Sequence, residues 1–178
     1  MKLTRWSLIP ICSALTAAGA FIRIPIPPVP ITLQSFFVIL SGILLGPRAG
    51  ALSQVIYILV GLIGLPVFSG GGGISYVMKP SFGYLLGFVF ASAMAGYFMK
   101  ERPVNSFTVL IASALGMLMI YLAGTSYLAL YLYAVMQKSD AISIAVKTGL
   151  LVFLPGDMIK CAILALVVPR LRLISPRG

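Results

Sequence analysis

The sequence predicts an all-α polytopic membrane protein of six transmembrane helices, one integral membrane domain over residues 1–178. Three observations carry that prediction. Hydrophobic residues make up 60% of the chain and charged residues only 9%, against about a quarter charged in an ordinary soluble domain. Mean hydropathy is +1.09. The apolar residues come in long runs, neither alternating nor amphipathic, punctuated by Pro- and Gly-rich stretches. A chain of 178 residues has room for about six spans and no separate soluble domain to bind ATP.

The first helix is expected over about 6–22. It follows Lys2 and Arg5 and superficially resembles a signal peptide, but no convincing cleavage site precedes the polar stretch and further spans follow. It reads as a retained helix. The run Pro25-Ile26-Pro27-Pro28-Val29-Pro30 cannot be regular helix. A short second helix over 33–45 turns at Gly46-Pro47 into a third over 48–63, which Leu65-Pro66 ends. The Gly-rich loop Ser69-Gly70-Gly71-Gly72-Gly73 leads to helices over 82–99 and 106–123. Gly124-Thr125-Ser126 interrupts the pattern. The apolar stretch Tyr127–Met136 is too short to span alone, and either extends helix five or lies at the membrane interface. The sixth helix is expected over 142–168, with a break at Pro155-Gly156.

Six spans place both termini on one side. Lys2, Arg5, Arg48, Lys100, Arg102, Arg170, Arg172 and Arg177 fall on that side, and only Arg23, Lys79 and Lys138 in loops on the other. A bias of eight cations against three predicts a cell-membrane protein with both termini cytoplasmic. A seventh span would put the last basic cluster outside.

Several function classes are excluded. There is no histidine, and the acids are Glu101, Asp140 and Asp157, so no metal-ligand cluster is expected. There is no Walker motif and no Ser-His-Asp arrangement, and nothing suggests an enzyme. The net charge of +10 is scattered between apolar runs, which argues against a nucleic-acid partner. Cys12 and Cys161 lie inside apolar segments and read as buried small hydrophobes. Concentrative transport would draw on an ion gradient or on partner subunits.

Asp157 and Lys160 carry the chemistry. They sit in Phe153-Leu154-Pro155-Gly156-Asp157-Met158-Ile159-Lys160, inside an apolar segment where ionisable groups are costly unless paired or functional. Spaced i and i+3, they share one side of a helix. A discontinuous helix at mid-membrane exposes backbone donors and acceptors to a ligand. Aspartate accepts from an amide or urea-like N–H, and lysine pairs with a carboxylate. The alternative is an internal ion pair that only neutralises itself. The loop Gly70–Gly73 permits positive φ, but it lacks a Gly-Lys-Ser ending and follows no strand, so it is no phosphate loop. With Tyr76, Lys79, Pro80, Gly83 and Tyr84 it resembles a cap over a pocket, in which tyrosines form an apolar wall with a polar edge. Thr32 and Gln34 stand ready to do the same from the start of helix two. Ala14 and Ala18 give helix one a small-xxx-small face for close helix approach. Gly42, Gly46 and Gly50 carry the same spacing, for internal packing or a partner.

The chain resembles the BioY family, the biotin-binding S components of energy-coupling factor (ECF) transporters. The resemblance runs through Ile24–Gln34, Leu45-Gly46-Pro47-Arg48-Ala49-Gly50, Gly64–Gly71, the Tyr-Leu-Leu-Gly-Phe of Tyr84–Phe88, and Phe153–Asp157 followed by Lys160. Where the family commonly has Gly-Pro-Thr-Gly-Gly-Tyr, this chain has Lys79-Pro80-Ser81-Phe82-Gly83-Tyr84, and Tyr127 stands where many relatives have tryptophan. The resemblance implies a six-helix protein that captures extracellular biotin for uptake. Its expected partners are a transmembrane coupling subunit, contacted through Ala14 and Ala18, two cytoplasmic ATPases and membrane lipid. No cofactor is implied beyond biotin as transported ligand. The implied ligand set is Asp157 on the ureido N–H groups and Lys160 on a ligand oxygen, carbonyl or carboxylate. The Gly70–Gly73 loop, Tyr76 and Lys79 would close over the molecule, with Lys79 and Phe82 replacing small residues at the pocket's edge. The other readings are a stand-alone secondary biotin carrier and a membrane assembly protein held by an internal Asp-Lys pair.

Overall fold

Helices follow the apolar runs. The computed structural model describes residues 6–174, with side chains through 170. Of the basic residues used to orient the chain, Lys2, Arg5, Arg177 and the Arg172 side chain lie outside the described residues. The first three helices are short: α1 (Ile9–Phe21), α2 (Gln34–Leu45) and α3 (Pro47–Leu62). The next, α4 (Phe82–Met99) and α5 (Ser106–Ala134), are each long and apolar enough to cross a membrane, as is the segment Ala141–Arg170.

Three local features differ from the sequence expectation, each for a physical reason. The Pro-rich first loop is a small antiparallel hairpin, β1 (Arg23–Ile24) against β2 (Ile31–Thr32), with Arg23 opposite Thr32. Its prolines occupy the connection and leave the ladder's N–H groups to other residues.

Second, α5 runs on through Gly124-Thr125-Ser126 for 29 residues, so Tyr127–Ala134 extends helix five. Gly124 is no breaker there. A Cβ at that position would lie in the Tyr84 ring, so the missing side chain is the seat for an aromatic from α4. At 1.5 Å per residue α5 is about 43 Å long, against a hydrocarbon core of about 30 Å. Its extra turns buttress the cap: Tyr127 donates to the Val77 carbonyl and packs edge-on against Phe82.

Third, the sixth span breaks earlier than Pro155-Gly156. It comprises α6 (Ala141–Val146), a π-helical turn (Lys147–Leu151), and α7 (Leu154–Ile174). Pro155 is the second residue of α7, where its missing N–H has no intrahelical partner to lose. The wide turn frees the Gly149 carbonyl, which accepts from Tyr84 Oη at 2.8 Å.

Small residues set the packing around α2, α3 and α4. A Cβ on Gly42 would strike the Ser92 carbonyl, and one on Gly96 would meet the Gly46-Pro47 backbone at 2.6 Å. Gly46 itself turns the chain at φ +86°. Gln54, fully buried, donates to Ser41 Oγ at 3.0 Å and Ser53 Oγ at 2.9 Å, and Ser41 meets Ser92 at 2.9 Å. Close backbones and polar links are what hold helices together where lipid removes the hydrophobic drive. Gly42 and Gly50 therefore serve internal packing.

Gly42→Val is expected to destabilise the bundle by about 1–3 kcal/mol, because its branch would strike backbone. Gly156→Ala is expected to be neutral or stabilising by up to about 1 kcal/mol, since nothing lies within 4 Å of its would-be Cβ and the site is helical. Thermal unfolding of the two variants in detergent checks both.

Candidate functional site

The first turns of α2, α4 and α7 converge with the hairpin on one pocket. Its apolar wall includes Val29, Ile31, Leu85, Phe88, Ile120 and Phe153. The space between these walls, counted out to the open mouth, is about 520 Å³.

Asp157 and Lys160 lie on the pocket's inner wall, each 8% exposed. Asp157 is the fourth residue of α7 and Lys160 the next on its face, which sets Lys160 Nζ 2.7 Å from Asp157 Oδ1. Lys160 also donates to the Thr32 carbonyl at 2.6 Å and to Ser35 Oγ at 3.0 Å. All three of its N–H donors are thus spent inside the protein. The ammonium ties α7 to β2 and α2, and fixes the carboxylate against the hairpin.

Asp157 keeps capacity to spare. Oδ1 accepts from Lys160 and, at a long 3.4 Å, from Ser35 Oγ. Oδ2 accepts from Tyr121 Oη on α5. A carboxylate has about four acceptor sites, so Oδ2 retains one and the weak Ser35 contact marks a second that can yield. The site presents a paired, oriented anion with room for a flat N–H donor beside it.

Gln34 and Tyr76 line the same pocket, each tied down by neighbours. Gln34 Nε2 donates to Tyr57 Oη at 2.5 Å and its Oε1 accepts from Thr32 Oγ1 at 3.1 Å. Tyr57 donates onward to the Val67 carbonyl, which locks the first loop to the third. Tyr76 Oη meets Ser69 Oγ at 3.3 Å and accepts from Ser81 Oγ at 3.2 Å. Tyr84 gives the pocket its ring while its hydroxyl turns to Gly149, and Phe153 packs edge-on against that ring at 5.9 Å.

The Gly-rich loop divides. Gly70 lines an outer vestibule with Arg23 and Lys79, and Lys79 Nζ donates to the Gly70 carbonyl at 2.6 Å, 4.7 Å above the Tyr76 ring. Gly71, Gly72 and Gly73 line neither cavity. Gly71 (φ +113°) and Gly73 (φ +97°) turn the chain, and a Cβ on Gly72 would strike the Leu65 carbonyl. They shape the loop that carries Ser69 and Tyr76. Phe82 is buried against Tyr127, away from the inner pocket, so that departure from the family's pattern is absorbed into the α4–α5 contact. Ala14 and Ala18 are exposed on the outer face of α1, flanked by exposed Ile11 and Leu15.

Sequence reasoning missed Ser35 and Tyr121. Ser35 carries a faint signal, following Thr32 and Gln34 in a polar cluster that opens an apolar helix. Tyr121 carries none beyond a phenol in an apolar span, whose O–H needs a partner.

The profile of the BioY family matches residues 1–177. The chain belongs to the BioY family. Among BioY relatives, a probable biotin transporter of Lysinibacillus sphaericus is 42% identical over 166 residues, covering 92% of this chain and 84% of the relative. The biotin transporter BioY of Thermotoga maritima is 37% identical, covering 91% and 92%. A crystal structure of the S-component for biotin from an ECF-type ABC transporter is similar at a TM-score of 0.81 and 30% identity, over 98% of this chain and 92% of that one. The six-helix architecture is therefore that of an ECF S component.

Proposed function

We propose that this chain captures biotin from outside the cell and delivers it to an ATP-driven ECF-type importer. The observation that carries the reading is the buried Asp157 carboxylate, held by Lys160 and Tyr121, with an open acceptor position in an apolar-walled pocket of a BioY-family chain. Biotin's ureido ring offers paired N–H donors to that carboxylate, and its sulfur ring suits the wall of Leu85, Phe88, Ile120 and Phe153. Lys160 acts in this reading through Asp157, since its own donors are spent. The valerate carboxylate points outward to the vestibule, where Arg23 and Lys79 offer cations.

The remaining parts follow from position. The pocket lies at the start of α2 and α4, while Arg48 and Lys100 gather at their far ends with Trp6. The positive-inside rule then puts the pocket outside and both termini in the cytoplasm. The outward Ala14–Ala18 face of α1 supports docking of a transmembrane coupling subunit, with two cytoplasmic ATPases supplying the energy. The chain itself catalyses nothing in this scheme.

Tyr121→Phe is expected to weaken biotin binding about tenfold or more, by removing a hydrogen bond to a charged acceptor, while leaving the fold intact. Titration calorimetry of the variant checks it. Vesicles test the transport role. With coupling subunit and ATPases co-reconstituted, labelled biotin should accumulate only with ATP. Uptake by the chain alone, following an imposed proton gradient, would replace this reading with a secondary carrier.

A further inference from the structure

A further cavity shares Asp157 and Tyr121 with the ligand pocket. It is a lateral groove between α5 and α7, about 750 Å³ counted out to its open side. Its rim is apolar and exposed: Ala114 and Leu118 on α5, Leu154 and Met158 on α7. Tyr121 and Asp157 line both cavities, so the wall between pocket and groove is one side chain thick. Apart from Asp157 and Tyr121, which bond each other, the groove is lined by aliphatic and sulfur side chains. Both helices belong to segments long and apolar enough to cross a membrane, so the groove opens where the bilayer supplies hydrocarbon.

We propose that this groove holds one acyl chain of a membrane phospholipid, which forms the outer wall of the Asp157 site. Hydrocarbon there keeps water from competing for the Tyr121–Asp157 bond and for the ligand N–H beside it. The exposed Ala114 is the notch that makes room: a large side chain at this position would occupy the groove with protein instead. The link to affinity rests on the biotin reading above; the lipid site itself does not.

The test is native mass spectrometry of the purified chain, stripped of lipid in detergent and supplied with phosphatidylglycerol. The wild type should retain one phosphatidylglycerol. Ala114→Phe and Leu118→Trp, which fill the groove from exposed positions, should retain none, while Leu59→Phe on the lipid-facing side of α3 should behave as wild type. Stripped wild type should bind biotin about tenfold more weakly and recover on adding phosphatidylglycerol. Ala114→Phe should bind equally with and without lipid. Retention by the filler variants equal to wild type, or equal loss in Leu59→Phe, would overturn the proposal. So would full-yield crosslinking of Leu118→Cys to the coupling subunit in the assembled importer, which would give the groove to a partner helix. Lipid retention with the expected pattern but no biotin binding would keep the lipid site and remove only the functional reading.

Discussion

Asp157→Asn should weaken biotin binding by about 30- to 4,000-fold, the span set by about 2–5 kcal/mol for truncating one side of a buried charged hydrogen bond. The substitution keeps the side chain's size, so the pocket's shape survives. The charge does not. Lys160 and Tyr121 then point at a neutral amide, and the N–H groups of the amide replace an acceptor with a donor. A ureido N–H arriving at that edge meets another N–H. Calorimetry on the folded variant decides it, and affinity within threefold of wild type would remove Asp157 from the ligand.

Lys160→Met separates binding from architecture. It leaves the carboxylate uncompensated in an apolar segment and strips the Thr32 carbonyl and Ser35 of their shared donor. Breaking one side of a buried pair costs about 3–5 kcal/mol, so thermal stability should fall sharply along with biotin binding. The double variant Asp157→Asn/Lys160→Met should regain most of the stability, because a neutral pair carries no unpaired charge. It should not regain binding. A double variant that binds biotin like wild type would make the pair internal glue and nothing more.

The apolar runs and their Pro and Gly breaks made the six spans legible, because lipid demands long uninterrupted helices with satisfied backbones. Asp157 and Lys160 were legible for the same reason: charge in such a segment has to be accounted for. Gly124 and Pro155 misled in opposite ways. Gly124 reads as a breaker but seats the Tyr84 ring in a continuous α5, and Pro155 reads as the break but sits harmlessly in the first turn of α7. Each outcome is decided by a neighbour or a helix position that local pattern does not contain. The partners of Asp157 were hidden by distance along the chain. Ser35 lies 122 positions away and Tyr121 lies 36, and only packing α2, α5 and α7 together brings them to one carboxylate. The Gly-rich loop looked like a ligand clamp as a whole, yet of its glycines Gly70 alone lines the pocket or its vestibule, because Gly71 and Gly73 are spent on positive-φ turns.

Titration calorimetry of the purified, detergent-solubilised chain with biotin, desthiobiotin and thiamine tests the central claim most directly. The account predicts saturable one-to-one binding of biotin and no binding of thiamine. Desthiobiotin, which keeps the ureido ring and lacks the sulfur ring, should bind more weakly than biotin but measurably. Folded protein that binds neither biotin nor desthiobiotin would contradict the assignment of the Asp157 pocket as a biotin site.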